Sequence, residues 1–253
     1  MSDEFQRRMY DDLVWTWPLI SDPSLAVEEV KLFSKLIKDR AARPVETLLH
    51  MGCGGGHMDF TFKEEFQLTG LDLSEGMLDH ARALNPEVEY LIGDMRDARL
   101  GRTFDAVVVL DSISYMVSQK DLNAAFRTAW EHLKPGGVFL TYAEQDKETF
   151  EQNKTFARTG VDGDTSVTLI ENDYDPDTED TTMEYTLVYL IRREGEFSIE
   201  KEQHLMGLFP LKVWSRILRS VGFDVKRRKY NYSNEWVDLE YQLFICLKPD
   251  TSD

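Results

Sequence analysis

Between Val45 and Ala143, short apolar runs alternate five times with amphipathic or polar stretches, and nothing else in the chain constrains its fold as strongly. "VETLLHM", "QLTGLDL", "VEYLIG", "FDAVVVL" and "GVFLTYA" read as strands; the fourth is nearly all apolar, as a strand covered on both faces should be. "HMDFTFKEEF", "EGMLDHARAL" (capped by Ser74) and "KDLNAAFRTAWEHL" (stopped by "KPGG") read as helices. Such alternation calls for a parallel sheet with helices on both faces, and right-handed crossovers then fix most of the topology. A further helix is predicted from Pro23 to about Arg40, with Leu25, Val30, Phe33, Leu36 and Ile37 near helical spacing and proline in its first turn.

The pattern changes after Ala143. "SVTLIENDYD", "TTMEYTLVYLIRR" and "EFSIEKEQHLMGLF" are long strands separated by acidic, turn-rich loops, so they should pair antiparallel. "PLKVWSRILRSVGF" is a helix ended by Gly222, and "DVKRRKYNY" and "YQLFICLKP" are two final strands. The expected architecture is one domain over residues 1–253. It is a doubly wound α/β fold with a seven-stranded, mostly parallel sheet whose last strand is antiparallel. Residues 144–208 form an antiparallel β insert after strand five, lying as a lid over the acceptor pocket.

Charge narrows the partners. The net charge is −17, which argues against nucleic acid, because affinity for a phosphate backbone comes largely from Lys and Arg. "KRRKY" is the one dense basic run and reads as a solvated face. The two cysteines, Cys53 and Cys246, suggest no disulfide framework, and no apolar run approaches the length of a membrane span. A cytoplasmic protein without membrane partners is expected, with its oligomeric state left open.

The loop after the first strand, "MGCGGGH", places Gly52, Gly54 and Gly56 where a doubly wound sheet binds its ligand. Glycines there let the backbone of Gly52, Cys53 and Gly54 approach that ligand, and the following helix offers free N–H groups. The dinucleotide fingerprint would need a sixth-position glycine where His57 stands. Asp72, ending the second strand, is placed to accept both hydroxyls of an adenosine ribose. Asp94, after the third strand, is placed to take an adenine amino group, with Leu73, Met77 and Met95 sandwiching the ring.

Taken in order, "LLHMGCGGGH", "GLDLSEGMLDHAR", "GDMRDARLGRTFDAVV" and "EHLKPGGVFL" resemble the successive motifs of class I S-adenosylmethionine-dependent methyltransferases. "GDMRDARLGR", "SISY" and "HLMGLF" resemble stretches of small-molecule N-methyltransferases of the amino-sugar type. The resemblance implies S-adenosyl-L-methionine as cofactor, bound by Gly52, Gly54, Gly56, Asp72, Leu73, Asp94 and Met95. His50 departs from it, standing where the family usually carries Asp or Glu near the cofactor's amino-acid end. A neutral imidazole there could accept a hydrogen bond, and a protonated one could meet the carboxylate. His50, Cys53 and His57 lack a fourth ligand, and no metal is expected.

The acceptor should lie beyond strands four and five, with Asp111, Ser112, Tyr115, Tyr142, Glu144 and His204 as lining candidates. The N-terminal Tyr10, Trp15 and Trp17 fold over the cofactor or pack on the helix from Pro23. Tyr10, Asp111, Tyr115 and His204 are the candidates for chemistry, with Asp111 also near the cofactor. "DSIS" is not the Asn/Asp-Pro-Pro-Tyr turn of enzymes that methylate planar amide or nucleobase nitrogens. Methyl transfer to a small-molecule acceptor, an amine nitrogen first, is the expected function. The alternatives are a non-catalytic S-adenosyl-compound-binding protein and an NAD-dependent oxidoreductase.

Overall fold

The computed structural model describes residues 7–233 and 238–250. Two sheets organise it. The larger takes β1 (Thr47–Met51), β2 (Gln67–Asp72), β3 (Glu89–Ile92), β4 (Phe104–Val109) and β5 (Leu133–Ala143) in parallel. The smaller is a meander of β6 (Lys154–Asp162), β7 (Thr165–Tyr174), β8 (Thr182–Arg193) and β9 (Glu196–Gly207). The chain then returns to the first sheet with β10 (Asp224–Ser233) and β11 (Asp238–Leu247).

The strand order β10-β11-β5-β4-β1-β2-β3 reverses between β1 and β4, which opens a crevice beyond their C-terminal ends. The last strand is antiparallel to β5, from Gln242 opposite Ala143 to Leu247 opposite Val138, as expected. Period-two alternation sends the two faces of β4 into separate cores. Ala106 and Val108 pack with Val30, Phe33 and Ile37 of α2 (Val27–Arg40). Val107 and Val109 pack with Leu122 and Phe126 of α5 (Gln119–His132) and Trp214 of α6 (Leu211–Val221).

Some elements differ from the sequence reading. The helix from Pro23 begins as a tight turn, with the Asp22 carboxylate accepting from Ser24 N, and becomes α-helical at Val27. The helix expected over 57–66 is only α3 (Asp59–Phe62), between α1 (Trp17–Ile20) and α4 (Glu75–Leu84) in the helix numbering. Its tail closes in part through three-residue turns, Glu64 N to Thr61 O and Glu65 N to Phe62 O, in a stretch rich in aromatic and β-branched residues of modest helix propensity. The small sheet has four strands where three were legible. The missed one, β6, is an edge strand with no apolar stripe, though Gly163-Asp164, the two residues between it and β7, are a hairpin signal.

The N-terminal segment packs on the small sheet instead of on α2. Met9, Leu13 and Ile20 share a core with Val167, Leu169, Leu187 and Tyr189, and Trp15 and Trp17 lie against it. Gly160 permits this approach, since a Cβ there would fall 1.8 Å from Leu19 O. No described helix is long and apolar enough to cross a membrane.

Candidate active site

A cavity of about 660 Å³ lies at the crevice. It has two chemically distinct halves.

The first half is built on the glycine loop. Gly52 and Gly54 have φ of +73° and +53°, conformations an L-side chain rarely adopts. A Cβ on Gly52 would also meet Ser112 Oγ at 2.4 Å, while beside Gly54 the space is open. Asp72 braces the loop: its carboxylate accepts from Gly54 N at 2.8 Å and Ser74 N at 2.9 Å. Burial pushes its pKa up, and those backbone donors pull it back. Asp94 borders the same half, held below the usual carboxylate range by Arg96. Leu73 is a large apolar side chain left 60% exposed at this rim, and Met77 and Met95 border the cavity beside it. An exposed leucine beside a half-buried carboxylate, over an open glycine backbone, is a surface that could hold an adenosine moiety.

His50, Cys53 and His57 do not converge. His50 is buried, with Nδ1 2.6 Å from Asp59 Oδ1, and Asp59 also accepts from Tyr90 Oη at 3.0 Å. Asp59 is fully buried and does not border the cavity, so it holds the His50 ring from behind while His50 itself borders the cavity. The Cys53 thiol packs with Leu78, Ala81 and Tyr90, so side-chain chemistry at the ligand is not its part. His57 Nδ1 accepts from Trp17 Nε1 at 2.7 Å, and burial, then His80, lowers its pKa to about 4, so the ring is neutral.

The second half is acidic. Asp111 and Glu144, from the ends of β4 and β5, meet Glu29 of α2 and Glu171 and Asp173 of β7. Burial pushes Glu29 up to about 9, with Asp111 and Glu144 adding repulsion. Burial, then Asp111, pushes Glu144 up to about 8, and burial, then Glu171, pushes Asp173 up to about 6. Asp111 is also raised by burial, opposed by a hydrogen bond from Tyr142 Oη. Arg158 donates to Glu171 at 2.9 Å, and Gln145 to Asp173 at 2.9 Å.

Tyr10 and Tyr115 border the cavity between the halves. Their hydroxyls lie 2.8 Å apart, and Tyr115 Oη is 2.7 Å from His204 Nδ1. His204 Nε2 in turn lies 2.7 Å from Glu202 Oε2. Glu202 also accepts from Tyr189 Oη at 2.6 Å and from Met9 N, so in the neutral ring Nε2 carries the proton and Nδ1 accepts from Tyr115. His204 itself does not border the cavity. It is fully buried behind Tyr115, which corrects its reading as a lining residue.

Sequence reasoning missed Glu29, Glu171, Asp173 and Arg158. Two signals were available. Glu29 falls on the stripe with Phe33 and Ile37, an acid at four-residue spacing on a buried helix face. Glu171 and Asp173 continue the inward parity of Val167 and Leu169 on β7.

The chain belongs to the class I S-adenosylmethionine-dependent methyltransferases. Residues 48–137 match the family model described as a methyltransferase domain. The chain is 31% identical over 183 residues to a dTDP-3-amino-3,6-dideoxy-α-D-glucopyranose N,N-dimethyltransferase of Streptomyces fradiae, covering 71% of each. It is 40% identical over 124 residues to a dTDP-3-amino-3,4,6-trideoxy-α-D-glucopyranose N,N-dimethyltransferase of Streptomyces venezuelae. That match covers 48% of this chain and about half, 52%, of the relative. The crystal structure of Streptomyces venezuelae DesVI superposes with a TM-score of 0.79 at 26% identity, covering 97% of this chain and 99% of that one. The family excludes the nicotinamide oxidoreductase alternative.

Proposed function

We propose that this chain methylates an amine nitrogen of a small molecule held in the acidic half of the cavity. The observation that carries this reading is continuity: one cavity runs from the glycine loop and Asp72 to Asp111, Glu144 and Glu29. Bound S-adenosylmethionine supplies a sulfonium whose methyl carbon is already electrophilic. The residues then have to hold an amine in line with that methyl, exclude water and take a proton from the arriving ammonium.

Gly52, Cys53, Gly54, Asp72, Leu73, Met77, Asp94 and Met95 hold the cofactor in this reading, with His50 at its amino-acid end and Asp59 fixing that ring from behind; Gly56 faces Asn85 and Tyr90 and serves the turn instead. Asp111 and Glu144 draw the ammonium to the ends of β4 and β5. Glu144, pushed by burial to about 8, is matched to accepting a proton near neutral pH. Tyr10 and Tyr115 orient the nitrogen, their hydroxyls fixed from behind by His204 and Glu202. The small sheet and the N-terminal segment roof the acceptor as a lid, contributing Phe156, Met183 and Tyr185 from one and Tyr10 from the other. The Streptomyces relatives are named for dimethylating an amino group on a deoxysugar, so a small amine acceptor is common ground. The charge of −17 points the same way, away from nucleic acid.

The test is a transfer assay with methyl-labelled cofactor against small amines, hydroxy acids, a protein mixture and RNA. Label should appear in amines. Turnover confined to RNA or protein contradicts the reading, and tight cofactor binding with no turnover anywhere would favour a non-catalytic binder.

A further inference from the structure

The acidic half holds more carboxyl groups than one amine needs. Glu29, Asp111, Glu144, Glu171 and Asp173 border it, and Arg158 is the cation among them. Arg158 is already bound to Glu171. Of the other lining guanidinium groups, Arg96 is bound to Asp94, and Arg7 lies over the Tyr115 ring at the exposed rim. Glu29 is 6% exposed, borders the cavity, and has no hydrogen-bond partner among the described residues. Glu144 likewise has none. A carboxyl buried in this way destabilises the site unless it stays protonated or meets a cation.

If all five ionise on binding, the charges can be matched one by one. Arg158 answers Glu171, and the charge of Lys154 acts on Asp173. A sulfonium answers a third carboxylate, and the reacting ammonium answers a fourth. One remains. No three acids among the described residues converge as a metal would require, so the remaining charge suits nitrogens spaced along an organic molecule. A diphosphate, by contrast, would bring two or more negative charges toward these acids, with a single rim guanidinium to receive it.

We propose that the acceptor of this chain carries at least one further cationic nitrogen beside the one methylated, and no diphosphate: a di- or polyamine, or a sugar bearing several free amines. This rests on the amine reading above. It separates the chain from relatives named for dTDP-linked sugars. In the empty site the raised pKa values of Glu29 and Glu144 keep these groups protonated, and a dication entering should let them ionise and release protons.

The experiment compares kcat/KM of the full chain, saturated with S-adenosylmethionine, for 1,4-diaminobutane, butylamine, glucosamine and a dTDP-linked 3-amino-sugar. The diamine should exceed butylamine by about tenfold or more, the equivalent of one partly screened ion pair, and the dTDP-linked sugar should be slowest. Glu29→Gln should draw the diamine-to-monoamine ratio toward one while cofactor affinity, read by calorimetry, stays intact; Asp173→Asn serves if Glu29→Gln fails to fold. Calorimetry in buffers of different ionisation enthalpy should show protons released on diamine binding. Equal rates for diamine and monoamine, or preference for the dTDP-linked sugar, would overturn the inference while leaving amine methylation standing. No turnover on any of the four amines would overturn the amine reading itself, and the inference with it.

Discussion

The two halves of the cavity are made in opposite ways. The glycine-loop half is mostly backbone: a glycine loop, one carboxylate at a strand end, and a few apolar side chains from the next two turns. Its parts lie within His50 to Met95, and Asp72 both lines it and braces the loop through Gly54 N. The acidic half is made of side chains. Glu29, Asp111, Glu144, Arg158 and Asp173 come from α2, the ends of β4 and β5, and the small sheet. A backbone cradle tolerates little change. A wall of side chains from separate elements can be re-lettered without touching the fold, and this is how one scaffold takes different acceptors.

The comparison predicts a graded response to substitution. Asp72→Ala should hurt most, because it removes a partner for the cofactor and a brace for the loop together. Loss of two charge-assisted hydrogen bonds weakens cofactor binding by about 2–4 kcal/mol. Calorimetry on a mutant shown to be folded checks this, and unchanged affinity would remove Asp72 from the cofactor site.

Glu144→Gln should come next. If Glu144 takes the amine's proton, kcat should fall by about 10²-fold, the lower range for a lost general base. The pH profile gives the sign. A base works deprotonated, so kcat/KM should rise with pH through an inflexion at or below about 8, where burial places this carboxyl, and the rise should flatten in the mutant. A profile that falls with pH across that range would exclude Glu144 as the base.

His204→Ala should cost less than the ~10²–10⁴-fold of a lost general base, since His204 reaches the cavity only through its contact with Tyr115. Tyr10→Ala, at the cavity wall, should chiefly raise the Michaelis constants. A larger loss at His204 than at Glu144 would reverse the assignment of roles.

The smallest effect is on stability. Glu29, raised by burial to about 9 in the folded chain, ionises near 4.3 when unfolded. Between those values the folded state holds the extra proton. Its contribution is therefore full below the unfolded value and is lost as pH rises toward the folded one. The ligand-free protein should melt lower at pH 9 than at pH 5, and Glu29→Gln should recover about 2–4 °C at pH 9, the shift one kcal/mol produces in a chain of this size. Identical pH dependence in the mutant would mean that Glu29 does not titrate with folding.

The same contrast explains what the sequence revealed. The alternation from Val45 to Ala143 and the spacing from Gly52 to Asp72 are local patterns, so the large sheet and the residues that come together at the glycine loop were legible. Strand β6 was not, because an edge strand bears no continuous apolar stripe. Glu29 lies 82 residues from Asp111, and only packing of α2 against the sheet brings them together. His204 was visible as a histidine in a strand, but its place behind Tyr115 depends on the docking of β9 against the turn after β4. The partner of His50 could not be foreseen either: Asp59 is near in sequence, yet only the short α3 turns it back toward β1.

The central claim is that the cofactor lies along the glycine loop with its sulfur opening toward the carboxylates at the ends of β4 and β5. A crystal structure with bound S-adenosylhomocysteine tests it most directly. The ribose hydroxyls should lie within hydrogen-bond distance of Asp72 and the sulfur should face Asp111 and Glu144, with Tyr10 and Tyr115 between sulfur and His204. A ribose out of reach of Asp72, or a sulfur turned away from the acidic half, would contradict the account.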